Sequence, residues 1–133
     1  METKSIEQLE KVVWKNPSKF PTDMIEKCYR YRKISIAELT NEQIRLLIAQ
    51  KIGADYLIGI ALEKLERNIL TECDFYKGDL LMAVSSLPTE FWNRNKADFL
   101  TFKKIVKQNL ELIKIELGEK KLDKLINRID CGI

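Results

Sequence analysis

The stretch from Asp55 to Arg67 constrains the fold more than any other part of the chain. It carries Leu57, Ile58, Ile60, Ala61, Leu62 and Leu65. Wound as a helix, these residues cover most of the circumference over the first three turns. A helix apolar nearly all round is a buried one, so its neighbours must surround it. Gly59 inside it costs about 1 kcal/mol against Ala and is read as permitting a close helix crossing.

The flanking sequence supplies those neighbours as further helices. Ser5 with Gln8, and Thr40 with Gln43, are capping boxes. The first opens a helix through Leu9, Val12 and Val13 to about Trp14, ended by Asn16-Pro17. Pro21-Thr22 restarts a helix with Met24, Ile25, Cys28 and Tyr29. Ile34 to Leu39 is short and irregular, with a weak strand signal. After Thr40, Ile44, Leu47, Ile48 and Ile52 mark one helical face, and Gly53 is placed to close it in a left-handed conformation. Asn68 to Gly78 is read as the longest irregular segment. Gly78-Asp79 makes a turn and N-cap for Leu80 to Leu87, and Pro88-Thr89 starts a helix at Phe91-Trp92. A long helix is expected from Ala97 to Leu117, with Phe99, Phe102, Val106, Leu110, Ile113 and Leu117 in one stripe. Gly118 ends it, and Leu122, Leu125, Ile126 and Ile129 define a last helix. The expectation is an all-α fold: one compact domain, residues 1–133, of about seven helices around a buried central one.

Composition narrows the chemistry. The 133 residues contain no His, which removes Ser-His-Asp and Cys-His catalysis and His metal sites. Cys28, Cys73 and Cys131 are odd in number and widely spaced, so they read as reduced, partly buried thiols. The glycines form no phosphate loop. Glu63 and Glu66 share a helix face, but bundle metal sites pair such acids with His. The reading is a non-enzyme without cofactor or metal. The charged first residues predict no signal peptide, and no uncharged run is long enough for a membrane span. The cytoplasm is the expected compartment.

The charge is unevenly placed. Residues 1–53 carry ten basic and seven acidic groups, residues 54–79 three and six, and residues 80–133 ten and seven. The segment Arg45 to Ile58 has the look of a helix-turn-helix, which makes a DNA-binding regulator the alternative reading. Its second helix would offer Asp55, Leu57, Ile60 and Ala61 to the bases, and the chain is most acidic there. The acidic middle is the candidate recognition surface. Glu63, Glu66, Glu72, Asp74 and Asp79 would pair with Arg or Lys on a partner, with Tyr76 or Phe75 as an aromatic anchor. Trp14 and Trp92 sit at helical spacing and read as core.

Two runs resemble one family. The first is Leu39-Thr40, then Ile44-Arg45-Leu46-Leu47-Ile48-Ala49-Gln50-Lys51-Ile52-Gly53, Tyr56-Leu57-Ile58, Ala61-Leu62-Glu63 and Leu65. The second is Asp74-Phe75-Tyr76-Lys77-Gly78-Asp79-Leu80-Leu81. Ser5 to Glu10 and Phe91-Trp92 also fit. The chain resembles the immunity proteins of contact-dependent growth inhibition (CDI) over most of residues 5–92. Gly59 departs from the family's usual Pro, Ile69 to Glu72 from Pro-Leu-Ala-Glu, and Ile44 from Leu. The resemblance implies a cytoplasmic monomer that binds a cognate toxin C-terminal domain one-to-one, by occlusion or distortion and without chemistry of its own. Family toxins include nucleases. It further implies that the shared runs encode the fold, and that residues reading the particular toxin lie outside them.

Overall fold

A computed structural model describes residues 3–131. Among them are nine α-helices: α1 (Ile6–Glu10), α2 (Asp23–Tyr31), α3 (Asn41–Ala49), α4 (Ala54–Arg67), α5 (Asp79–Ser85), α6 (Thr89–Arg94), α7 (Lys96–Lys107), α8 (Leu110–Leu117) and α9 (Glu119–Cys131). A single 3-10 turn spans Ile36–Glu38, and the only β pairing among the described residues is two isolated bridges, Ser5 with Ser35 and Glu72 with Lys77. The fold is all-α as expected, with more and shorter helices than the expected seven.

The local start signals operate as read. Ser5 Oγ accepts from the Gln8 amide at 3.2 Å while Gln8 Oε1 accepts from the Ser5 amide at 2.9 Å. Thr40 and Gln43 repeat the exchange at 3.2 and 2.9 Å. Thr22 caps α2 by accepting from the Ile25 amide at 3.1 Å. Each satisfies amides that a helix start leaves free.

Gly118 ends α8 as read, but other stops differ, each for a local physical reason. α1 ends at Glu10, not near Trp14, because Lys11 turns left-handed at φ 59°. Arg32, fully buried, takes what the helix would have needed. Its Nη2 donates to Glu10 Oε1 at 2.6 Å and to the Val12 carbonyl at 2.9 Å. Its guanidinium lies 4.0 Å from the Trp14 ring centroid. Val12 and Val13 are left exposed, and residues 11–22 form a longer irregular segment than 68–78. At the end of α3 the left-handed residue is Lys51, φ 61°. The Ile52 amide donates to Leu47 O at 2.8 Å and the Lys51 amide to Ile48 O at 2.9 Å, the two bonds of a Schellman motif. Gly53 is left-handed too, at φ 64°, but it is the N-cap of α4. A Cβ on it would come within 2.6 Å of Ile6. The helix expected over 97–117 is two, broken at Gln108-Asn109. The Asn109 amide bonds back to Val106 O at 3.0 Å and its side chain to Ile105 O at 2.8 Å, which competes with helix continuation.

One apolar cluster, from Ile6 to Ile129, draws on all nine helices. α4 packs against α3, α5 and α7 through Leu57, Ile58, Ala61, Leu62 and Leu65. It is central but not enclosed, because Asp55, Tyr56, Gly59, Glu63 and Glu66 face outward. Trp92 is core: it stacks on Phe102 at 5.5 Å and meets Phe91 and Phe99 edge-on. Cys28 is buried and Cys73 partly so, while the Cys131 side chain lies outside the described residues.

Gly59 makes no helix crossing, since a Cβ there would meet nothing within 4 Å. Gly59→Ala should therefore gain about 0.5–1 kcal/mol by removing the glycine penalty inside a helix. Urea unfolding checks this, and a loss of stability would show that the position is packed after all.

Candidate functional site

The acidic, aromatic middle of the chain folds into a loop, residues 68–78, between α4 and α5. Its shape is set at both ends. At the α4 end, Asn68 Oδ1 accepts from the Leu70 amide at 3.0 Å, an Asx-type turn. At the α5 end, the Gly78 amide donates to Leu70 O at 3.1 Å and closes the loop. Gly78 has φ 90°, and a Cβ there would lie 2.9 Å from Leu117, so both backbone and neighbour demand glycine.

Asp79 fixes the interior. It is 3% exposed. Its Oδ1 accepts from the Cys73 amide at 2.8 Å, and its Oδ2 from the Asp74 and Phe75 amides at 2.8 and 2.9 Å. Three successive amides thus converge on one carboxylate, an anion nest filled by the chain's own side chain. Asp79 also begins α5, where the helix dipole favours a negative charge. Arg45 on α3 adds a cation, its Nε 4.0 Å from Asp79 Oδ2 and its guanidinium 4.5 Å from the Phe75 ring centroid. Arg45 Nε is buried without a hydrogen bond, so its charge is balanced by the carboxylate and the ring face.

The electrostatics follow from that geometry. Burial alone would raise the Asp79 pKa; the amides of Phe75, Asp74 and Cys73 and the Arg45 charge outweigh it, and the pKa is lowered. Cys73 moves the other way, up to about 11, through burial first and then the Asp79 charge. That thiol stays protonated at neutral pH and is a poor nucleophile.

The six residues singled out from sequence fall into three settings. Glu63 and Glu66 are exposed on the outer face of α4, with Glu63 3.3 Å from Arg67. Glu72 and Asp74 are exposed on the loop, where Glu72 pairs with Lys77 in a bridge. Tyr76 is 38% exposed with Lys121 Nζ 4.0 Å from its ring centroid. Asp79 points inward and organises the loop from beneath. Phe75 projects outward at 68% exposure. Sequence reasoning missed Arg45, which stands one residue off the apolar stripe of α3, and Arg32, which looks like surface within Arg30-Tyr31-Arg32-Lys33. Among the described residues, no group of three or more His, Cys, Asp or Glu side chains could hold a metal. No helix among them is long and apolar enough to cross a membrane.

Fold and site together define a class: a small all-helical protein that presents an acidic and aromatic loop fixed from within. Within that class, residues 8–102 match the CDI immunity proteins, and the chain belongs to that family. No curated protein and no solved structure matches it. Membership implies immunity against a CDI toxin.

Asp79→Asn should cost about 2–3 kcal/mol, because the neutral amide cannot accept three charge-assisted bonds. A lowered folded-state pKa gives stabilisation that is complete above the unfolded value of about 3.9 and lost as pH falls through the folded value. The stability gap between parent and variant in urea should be full at pH 7 and shrink toward pH 3. A gap independent of pH would mean that the carboxylate charge is not what holds the loop.

Proposed function

We propose that the chain neutralises a cognate CDI toxin C-terminal domain by binding it one-to-one in the cytoplasm as a single domain. The observation that carries this is the family match together with a pre-shaped acidic–aromatic loop inside the matched region. Neutralisation is by contact: the bound toxin is occluded or distorted, and the immunity protein transfers no group. Glu63, Glu66, Glu72, Asp74 and Tyr76 supply the binding surface, and Asp79 acts beneath them by holding the loop. Exposed carboxylates steer a basic partner and suppress wrong ones more than they add affinity, so toxins with basic surfaces, nucleases among them, fit best.

The helix-turn-helix alternative draws no support from α4. Leu57 and Ala61 are fully buried and Ile60 is partly so, while Asp55, Glu63 and Glu66 are what the helix turns outward. Those acids repel a phosphate backbone.

The toxin domain encoded immediately upstream should co-purify with the chain and bury about 1,600 Å² in total. Glu72→Lys with Asp74→Lys should weaken that complex about tenfold or more while leaving the melting temperature unchanged. Unaltered affinity would remove the acidic loop from the interface, and absence of any complex would remove the toxin reading.

A further inference from the structure

A groove of about 370 Å³ opens between α2, α3 and the loop. Leu46 and Ala49 of α3 form part of its apolar lining, with Met24 of α2 and Phe75 of the loop. Met24 is 42% exposed and Phe75 68%. A single exposed apolar side chain means little. Two large ones lining the same depression, with half-buried apolar neighbours, make a seat of the size of one apolar side chain.

The Phe75 ring is absent from the core cluster, and the structural contact it makes is with the Arg45 guanidinium. The molecule nevertheless holds it there. The Phe75 amide donates to Asp79, and the ring lies on the Arg45 guanidinium. A side chain already ordered in the free protein loses little entropy when a partner covers it, and this is the condition under which an aromatic residue becomes an anchor.

Charge selects the occupant. Arg45 also lines the groove, but its charge is matched by Asp79. The exposed charges on the lining are Glu42, Asp74 and Lys27. Glu72 and Lys77 on the same loop offset one another, so the surroundings carry a net excess of one negative charge. Such a rim disfavours nucleic acid and anionic lipid, and suits an apolar side chain flanked by basic ones.

We infer that this groove is where the toxin domain docks, seating an apolar side chain on Leu46 and Ala49 beside Phe75, with flanking Lys or Arg meeting Glu42 and Asp74. The inference rests on the immunity reading above and locates the binding energy in the groove rather than along α4.

Two variants test it, with the upstream-encoded toxin domain as the probe and titration calorimetry as the readout. Phe75→Ala removes the anchor, and Ala49→Phe fills the floor. Each should bind at least about 30-fold more weakly, the loss expected for a hot-spot position. Phe75→Ala should stay folded and lose only the small contribution of its contact with Arg45, and it decides the matter alone if Ala49→Phe fails to fold. If the parent binds and Phe75→Ala binds within about threefold of it, the groove is not the docking site while the immunity reading stands. If the parent does not bind, the immunity reading falls first. Sedimentation showing a parent dimer that Phe75→Ala dissolves would give the groove to a second copy and overturn the proposal.

Discussion

The Asp79 carboxylate, receiving three successive backbone amides, is the interaction on which the functional part of this molecule depends. Fixing the backbone of residues 73–75 costs about 1–2 kcal/mol per residue in conformational entropy. Three hydrogen bonds to a charged acceptor return about 1.5–3 kcal/mol each. The terms are of similar size, with the balance toward order, and without the carboxylate nothing comparable would oppose the entropy. One buried side chain therefore fixes the middle of a loop whose ends are already closed by the Asn68 turn and the Gly78–Leu70 bond. Because Asp79 is also the first residue of α5, the loop is tied directly to a helix rooted in the core.

Arg32 plays the corresponding part for residues 11–22. It is a buried cation that meets the carboxylate of Glu10 at the end of α1, and the Val12 carbonyl and Trp14 indole face just after it. A buried charge is tolerated only when so partnered. The segments after α1 and after α4 are thus each anchored by one buried ion, of opposite sign in the two cases. Between α2 and α3 the chain instead makes a 3-10 turn, Ile36–Glu38.

What was legible in the sequence was local. Both capping boxes, the Thr22 cap and the apolar stripes of α3 and α7 depend on residues three or four apart, and they fold as read. What was not legible depends on distant residues. α1 stops at Glu10 because of an arginine 22 positions away. α4 looked enclosed because its apolar count was high, yet Asp55, Gly59, Glu63 and Glu66 keep one face in water. The acidic middle stands out in the sequence as a unit, but its residues have different roles in the fold. Asp79, read as an N-cap and a contact, turns inward, whereas Phe75, inside a run expected to encode the fold, turns outward. Sequence spacing does not distinguish a carboxylate that binds its own chain from one that binds a partner.

If the fixed loop and the groove beside it form the contact surface, binding must cover both. Hydroxyl-radical footprinting of the chain, alone and with the upstream toxin domain, tests it most directly, because Met and aromatic side chains report their own exposure. Met24, Phe75 and Tyr76 should lose reactivity in the complex while Leu100 of α7 and Ile115 of α8, both exposed in the free chain, keep theirs. Protection confined to α7 and α8, with Phe75 still reactive, would contradict it.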